Sequence, residues 1–420
     1  MIKIIFVIPF SPKYAEYADK PKPKYNWDTK DGQWVGIWGY DWGDLHLKSL
    51  VEYYNNYDCE VWQPDLRADK IYSAELCNKL VHRNFPAKMI KRFSRFKLRK
   101  EMYSQSIIDE LKKYDDYNTV IMLPATARTK WMVSILESTR NAKHLYYNYL
   151  NDALLLPYKI NTFNPFKAYN RYLLNKEKLK WLKKMNVLLT GYSNPDALNR
   201  AEEINPMLKA IRVKLGLDLD FWYPVIDKAA ARRKLNIPNE TFVILLSQRI
   251  VPEYQVDRFI EVIAKIKPNK QFICYITGFG LPDYKRYLQG LVDHYKLNNK
   301  ICFVGYVSNE ELRNYMIASD LFVTIPTMSA GSGGALKEMA IGRPIFTVSS
   351  GSTYYFLKEN NAGIFVNPTD YDEWGKKLES IINGEIIVKT VNREIVADYY
   401  SWKNTAEQTK KAIDLLFEEN

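Results

Sequence analysis

The sequence predicts an α/β chain of two parallel-sheet domains. Three observations point there. With 420 residues the chain has room for two separate cores. From residue 242 onward, short apolar runs alternate with helix-period segments: strands over 242–246, 272–277 and 301–304, helices over 256–266, 283–295 and 310–318. That alternation implies a parallel sheet covered by helices. The third is the stretch 320–348, where a strand-like run, a cluster of small residues, a helix former and a second strand-like run follow one another.

This stretch is the centre of the chain. The run 320–325 leads into Ser329, Ala330, Gly331, Ser332, Gly333 and Gly334, and then into the helix former 335–340. Gly342 and Pro344 stop the helix, and 345–348 resumes as strand. Strand, glycine-rich turn and helix together bind phosphate: unpaired N–H groups at the helix start point at the ligand, and glycines let it approach. Ser329, Gly331, Ser332, Gly333 and Gly334 are the expected donors, and Glu338, one turn in, is placed to meet a ribose hydroxyl. The plainer alternative is that the glycines only let the helix pack closely on the sheet.

From the start, residues 1–9 read as a first buried strand rather than a leader, being short and without a small-residue cleavage site. A long loop over 11–43 follows. In it Trp34, Trp38 and Trp42 stand four apart, interleaved with Gly32, Gly36, Gly39 and Gly43, which argues against helix and for a shaped loop. Trp34 and Trp38 are candidates for stacking on a sugar or acceptor; the alternative is a loop held down by its own tryptophans. Asp44 is placed to cap a helix over 45–55, and His46 in its first turn reads as structural rather than as a site residue. Residues 60–64 and 119–124 read as strands, 173–186 and 193–203 as helices around a strand at 187–190.

Charge is uneven. The net charge is +12, which calls for an anionic partner. The main anomaly is 79–102, where Lys88, Lys91, Arg92 and Arg95 lie among Phe85, Met89, Ile90 and Phe93. Basic residues beside an apolar stripe suggest an interfacial helix on anionic lipid, against a solvated helix packing its apolar side on its own core. No nucleic-acid-binding motif accompanies the patch, so nucleic acid is not an expected partner. The four cysteines, Cys59, Cys77, Cys274 and Cys302, show no metal-ligand spacing, which favours a reducing, cytoplasmic location. No run reaches the roughly 18 apolar residues of a membrane span, so any membrane contact is expected to be peripheral, at the cytoplasmic face.

The stretch Glu338-Met339-Ala340-Ile341-Gly342-Arg343-Pro344 resembles the donor-nucleotide signature of GT-B glycosyltransferases, in particular retaining family four. The resemblance implies two Rossmann-like domains with parallel sheets facing a central cleft. It places an acceptor domain at 1–222, a nucleotide-sugar domain at 223–395 and a closing helix at 396–420 that crosses back. Ser247-Gln248-Arg249 resembles the family's arginine turn, so Arg249 is implied to pair with the donor diphosphate; Gly278-Phe279-Gly280 resembles its Gly-x-Gly. Residues 213–221 resemble the interdomain turn, which speaks against reading Asp218-Leu219-Asp220 as a metal-binding pair. Residues 144–152 resemble a cleft segment whose usual acids are amides here, Asn148 and Asn151; Asp152 remains, and with Arg249 is the expected catalytic group. His144 sits at the wrong end of the strand for catalysis.

Two departures matter. The first glutamate of the family pattern falls on Ala330, and the lysine after the arginine turn is replaced by Tyr254. The resemblance implies a nucleotide-sugar-dependent transferase, with a UDP- or GDP-sugar as substrate, no further cofactor and no metal, working on a glycan or lipid-linked acceptor with retention. The two losses motivate a second reading, a GT-B-shaped binding or scaffold subunit without catalysis. A phosphorylase or epimerase on the same fold is a third.

Overall fold

The computed structural model describes residues 1–8, 42–65, 68–94, 97–125, 130–148, 156–157, 163–191, 195–326 and 333–418. The chain divides into two compact units. The first comprises Met1–Gly191, Pro195–Gly216 and Trp402–Asn420; the second comprises Leu217–Ser401 with Tyr192–Asn194.

The first unit is built on an eight-stranded sheet. Its strands are β1 (Ile2–Val7), β2 (Tyr57–Asp65), β3 (Tyr72–Cys77), β4 (Leu80–Pro86), β7 (Thr119–Pro124), β8 (Lys143–Asn148), β9 (Val187–Thr190) and β10 (Lys209–Arg212), while β5 (Lys88–Ser94) and β6 (Lys97–Tyr103) form a separate two-stranded sheet. The order is β10-β9-β8-β7-β1-β2-β4-β3, parallel except for β3. Both faces are covered, so the central strands are largely apolar, and every residue of β7 is buried. Alternation sorts β1 between two cores. Ile5 and Val7 join Trp62 and Trp131 on one face, while Ile4 and Phe6 join Leu47 and Ile413 on the other.

The second unit has a six-stranded parallel sheet: β11 (Phe242–Ser247), β12 (Phe272–Thr277), β13 (Ile301–Gly305), β14 (Leu321–Thr324), β15 (Ile345–Val348) and β16 (Ile364–Val366). Ile244 and Leu246 face a core with Phe259 and Trp374; Val243 and Leu245 face the other, with Met316 and Met339. The helix Val256–Lys265 shows why its sequence forms it. Val256, Phe259, Ile260, Val262 and Ile263 make one buried stripe, and each buried side chain is worth about 1.5–3 kcal/mol. Ser308 and Glu311 form a reciprocal capping box at the helix Asn309–Ala318.

Four expectations change. The basic segment is not the expected helix in its described residues: 80–86 form β4, and 88–94 and 97–103 pair as β5 and β6, with Lys88, Lys91 and Arg92 in β5. Phe85, Met89 and Phe93 fit a period of two as well as one of 3.6, and Pro86 with the in-register pairing decides for strand. The first helix begins at Trp42, so Trp42 and Gly43 belong to it and Asp44 lies in its first turn rather than before it. Asp44 is buried there and accepts a 2.6 Å hydrogen bond from His82 Nδ1. The helix expected from residue 173 starts at Pro165, where the Asn164 side chain accepts from the Lys167 N–H at 3.0 Å; its first turns leave Phe166, Tyr169 and Tyr172 exposed, so no buried apolar stripe marks them.

The last helix, Trp402–Glu418, belongs to the first unit, where Ala412, Ile413 and Leu416 lie in the core beside Leu47 and Leu50. His46 is wholly buried in this contact, so it is structural. His144 opens β8 and meets Thr139 Oγ1 at 2.9 Å, at the amino end of the strand.

Candidate functional site

In a parallel sheet, a ligand binds beyond the carboxyl ends of the strands, where the strand order reverses. In the second unit the order runs outward from β11 through β12 to β13, then restarts at β14 on β11's other edge. The reversal therefore lies between β11 and β14. The segment carrying Arg249 follows β11, and the glycine-rich turn follows β14.

The loops at this end are fastened to each other. Gln255, a non-glycine at φ 49, donates from Nε2 to the Ile325 carbonyl at 3.1 Å, tying the segment after β11 to the one after β14. Gln248 Oε1 accepts from Thr324 Oγ1 at 3.4 Å across the same divide. On the other side, Ile250 N–H donates to the Phe279 carbonyl at 2.9 Å, and Ile250 bridges Gly280. Gly278 has φ +125, and a Cβ there would overlap the Gln248 carbonyl oxygen; Gly280 approaches Ile250 as closely. The Gly-x-Gly thus has a packing role of its own, whatever ligand it meets.

Arg249 is half-buried, and its guanidinium lies 5.8 Å from the centroid of the Tyr254 ring. The residue standing where the resemblance places a lysine is therefore a platform for the arginine.

The helix Gly333–Ile341 begins at the glycines and buries Ala335, Glu338, Met339 and Ala340. Gly333 is exposed, and an added Cβ there would meet nothing within 4 Å. Glu338 is fully buried, and neither carboxylate oxygen has a hydrogen-bond partner among the described residues. Desolvation pushes its carboxyl well above the usual carboxylate range, and the Arg343 guanidinium opposes that shift only in part. Native interiors rarely leave both oxygens of an acid unsatisfied. Beside it, the Lys337 ammonium lies 4.2 Å from the Trp222 ring, and burial lowers its pKa to about 8. Thr277 Oγ1, at the end of β12, is also buried without a partner among the described residues.

Of the residues expected from sequence, Arg249, Gly278, Gly333, Gly334 and Glu338 fall at this end of the second unit. Ser329, Gly331 and Ser332 lie outside the described residues, as do Trp34, Trp38, Arg95, Asn151 and Asp152. By connectivity, Trp34 and Trp38 belong to the segment leaving β1, and the order of the first sheet reverses between β1 and β7. Asp218 Oδ1 accepts from the Phe221 N–H at 3.0 Å, closing a turn. Sequence reasoning missed Gln248, Gln255, Thr277 and Thr324. Gln248 is next to Arg249, but nothing local marks Gln255 as a glutamine that will adopt a left-handed conformation.

Residues 227–414 match the family model described as glycosyl transferases group 1. An uncharacterized glycosyltransferase of Methanocaldococcus jannaschii is 25% identical over 197 residues, covering 46% of this chain and 50% of that protein. The matches span about half the length of the curated relatives or somewhat less. Among solved structures, sucrose-phosphate synthase from Thermosynechococcus elongatus superposes with a TM-score of 0.68 at 16% identity, covering 100% of both chains. HepE of Anabaena, in complex with UDP and glucose, gives 0.64 at 14% identity, covering 99% of this chain and 100% of that one. At these identities the likeness is one of fold.

Proposed function

From a chain with the GT-B fold and a glycosyl transferases group 1 match over residues 227–414, we propose a glycosyltransferase that takes its sugar from a UDP- or GDP-sugar. The observation that carries this reading is the orphaned Glu338 carboxylate, one turn into the helix Gly333–Ile341. A ribose supplies two hydroxyl donors, which such a carboxylate lacks. The helix start is suited to the diphosphate, with Arg249 across the strand-order reversal providing a fork for its oxygens. That HepE was solved with UDP and glucose supports the nucleotide assignment.

As the glycosidic bond to the donor breaks, negative charge builds on the diphosphate. Arg249 and the N–H groups of 331–334 stabilise that charge, so the departure calls for no metal. Tyr254 sets its ring 5.8 Å from the guanidinium, a cation–π contact that a lysine in its place would not make. The acceptor, a glycan or a lipid-linked saccharide, is assigned to the first unit, with Trp34, Trp38, Asn151 and Asp152 as its contacts. The new bond forms with retention.

Calorimetry with nucleoside diphosphates and their sugar conjugates tests the donor site. Binding to wild type that falls about tenfold or more in Glu338→Gln is the expected result. A folded wild-type protein that binds none of them overturns the reading. Ala330 and Tyr254 favour a second reading, a donor-binding subunit without turnover. Binding without release of nucleoside diphosphate, with or without chelator and across an acceptor panel, would favour it.

A further inference from the structure

The first unit carries a cavity that neither the donor nor the acceptor assignment uses. Its volume is about 240 Å³, and Lys143, His144, Tyr146, Lys184, Asn186 and Leu416 line it. Lys143 opens β8, so the cavity lies at the amino end of that strand, away from the carboxyl ends where ligands of parallel sheets ordinarily bind. The start of β8 supplies one wall, the turn into β9 a second and the last helix a third. Among the described residues the lining is basic and holds no carboxylate. Lys184 is exposed, and its ammonium has no hydrogen-bond or ion-pair partner among the described residues. Lys143 Nζ stands 5.4 Å from the centroid of the Phe417 ring. Asp115, the acid that acts on His144, is occupied by backbone: its Oδ1 accepts from the Asn141 and Ala142 N–H groups at 2.7 and 2.9 Å.

The uncharged groups of the lining have fixed roles. Thr139 Oγ1 donates its one hydrogen to the Ile135 carbonyl at 2.8 Å, so it accepts from His144 Nε2 at 2.9 Å. The ring proton therefore sits on Nε2, and Nδ1 is left as an acceptor. Burial lowers the pKa of this histidine to about 4, so the ring carries no charge at pH 7. Tyr146 is only 4% exposed, yet its hydroxyl has no hydrogen-bond partner among the described residues. Burial pushes that phenol up to about 12, which keeps it a donor. Native proteins seldom bury a hydroxyl without a partner.

We propose that this cavity binds a small phosphorylated sugar. The Lys143 and Lys184 ammoniums take the phosphate, His144 Nδ1 accepts from one sugar hydroxyl, the Tyr146 hydroxyl donates to another, and the Asn186 amide can do either. The mixture of groups decides the ligand. An inorganic anion uses the cations alone and meets the lone pair of Nδ1 unfavourably, while a neutral sugar leaves the cations without a counter-charge. A volume below the roughly 300–1,000 Å³ of drug-sized sites favours a monosaccharide phosphate over a nucleotide sugar. The ligand would join β8 to the last helix, so its binding stabilises the first unit. The proposal stands apart from the donor reading and survives its failure.

Calorimetry on the full chain with glucose 6-phosphate, inorganic phosphate and glucose as probes tests it. Wild type is expected to bind glucose 6-phosphate about tenfold or more tightly than inorganic phosphate, and not to bind glucose measurably. Lys184→Glu, at an exposed position, should weaken glucose 6-phosphate about tenfold or more while circular dichroism stays unchanged. Tyr146→Phe should weaken it about fivefold and leave inorganic phosphate as in wild type. Both variants should respond to UDP as wild type does, which separates this cavity from the donor site. The proposal is overturned if wild type does not bind glucose 6-phosphate, or if either variant binds it like wild type. It is also overturned if inorganic phosphate binds as tightly as the sugar phosphate, which would mark an adventitious ion only.

Discussion

Thr409 Oγ1 lies 2.6 Å from Nε2 of His46, in the core of the first unit, across 363 residues of sequence. The His46 ring also packs edge-on against Phe6, with centroids 5.8 Å apart. Burial lowers its pKa from 6.5 to about 3. The unfolded chain therefore takes up a proton at this histidine below pH 6.5 while the folded chain does not, so stability falls as pH drops from 6.5 toward 3. His144, held at about 4 by desolvation, acts in the same direction between 6.5 and 4. Going from pH 6.5 to 4.5, His46 alone should remove about 2–3 kcal/mol. Urea unfolding at several pH values checks this: His46→Gln should cost about 1 kcal/mol at pH 7 and flatten the acid limb.

Asp44 and His82 form a second buried pair, each only 1% exposed. His82 Nε2 has no partner among the described residues, so the ring depends on its Nδ1 contact with Asp44. Asp44→Ala should destabilise by about 3–5 kcal/mol, and the double change Asp44→Ala/His82→Phe by less than the sum of the two single changes. Additive losses in chemical denaturation would show that the two residues act separately.

Glu338→Met removes both orphaned oxygens at nearly constant volume. The variant should be more stable than wild type by about 1–3 kcal/mol without ligand, and should bind nucleotide worse. The sign with pH follows from the raised carboxyl pKa. Folding binds a proton at Glu338 once the unfolded acid ionises above pH 4.5, so wild-type stability falls as pH rises through that region and the advantage of the variant grows. Thermal melts at pH 4 and pH 7, with and without UDP, separate the two effects.

Two glycines near the site should respond oppositely to alanine. Gly278→Ala meets the Gln248 carbonyl at φ +125 and should cost about 2–3 kcal/mol. Gly333→Ala finds open space at a helix start and should leave stability within about 1 kcal/mol, while the new methyl hinders a phosphate at the helix N-terminus. Melting temperature should fall for the first variant, and nucleotide affinity alone for the second.

The second unit was largely legible in the sequence because its strands and helices repeat one simple rule. Residues 272–277 and 345–348 are strands as the apolar runs indicate, bounded by turn residues. The basic segment misled because Phe85, Met89 and Phe93, four apart, satisfy two periods at once; Ile90 fits only the helical one, and pairing of β5 with Leu98 and Met102 of β6 selects the strand. At the site, Arg249 and Glu338 were visible as chemistry attached to strand ends. Gln255 and Thr324 were not, because their importance arises from a strand order that places β14 beside β11, and no local signal encodes neighbours some 70 residues apart.

The last helix has a consequence for biosynthesis. Ala412 and Ile413 close a core that begins with Ile4 and Phe6, yet the whole of 217–401 is synthesised between them. As the chain leaves the ribosome, the second unit has all its strands and helices before the first unit receives its final covering element. The amino-terminal sheet must therefore wait with one apolar face incompletely protected, and it is there that a chaperone or a premature stop would be felt.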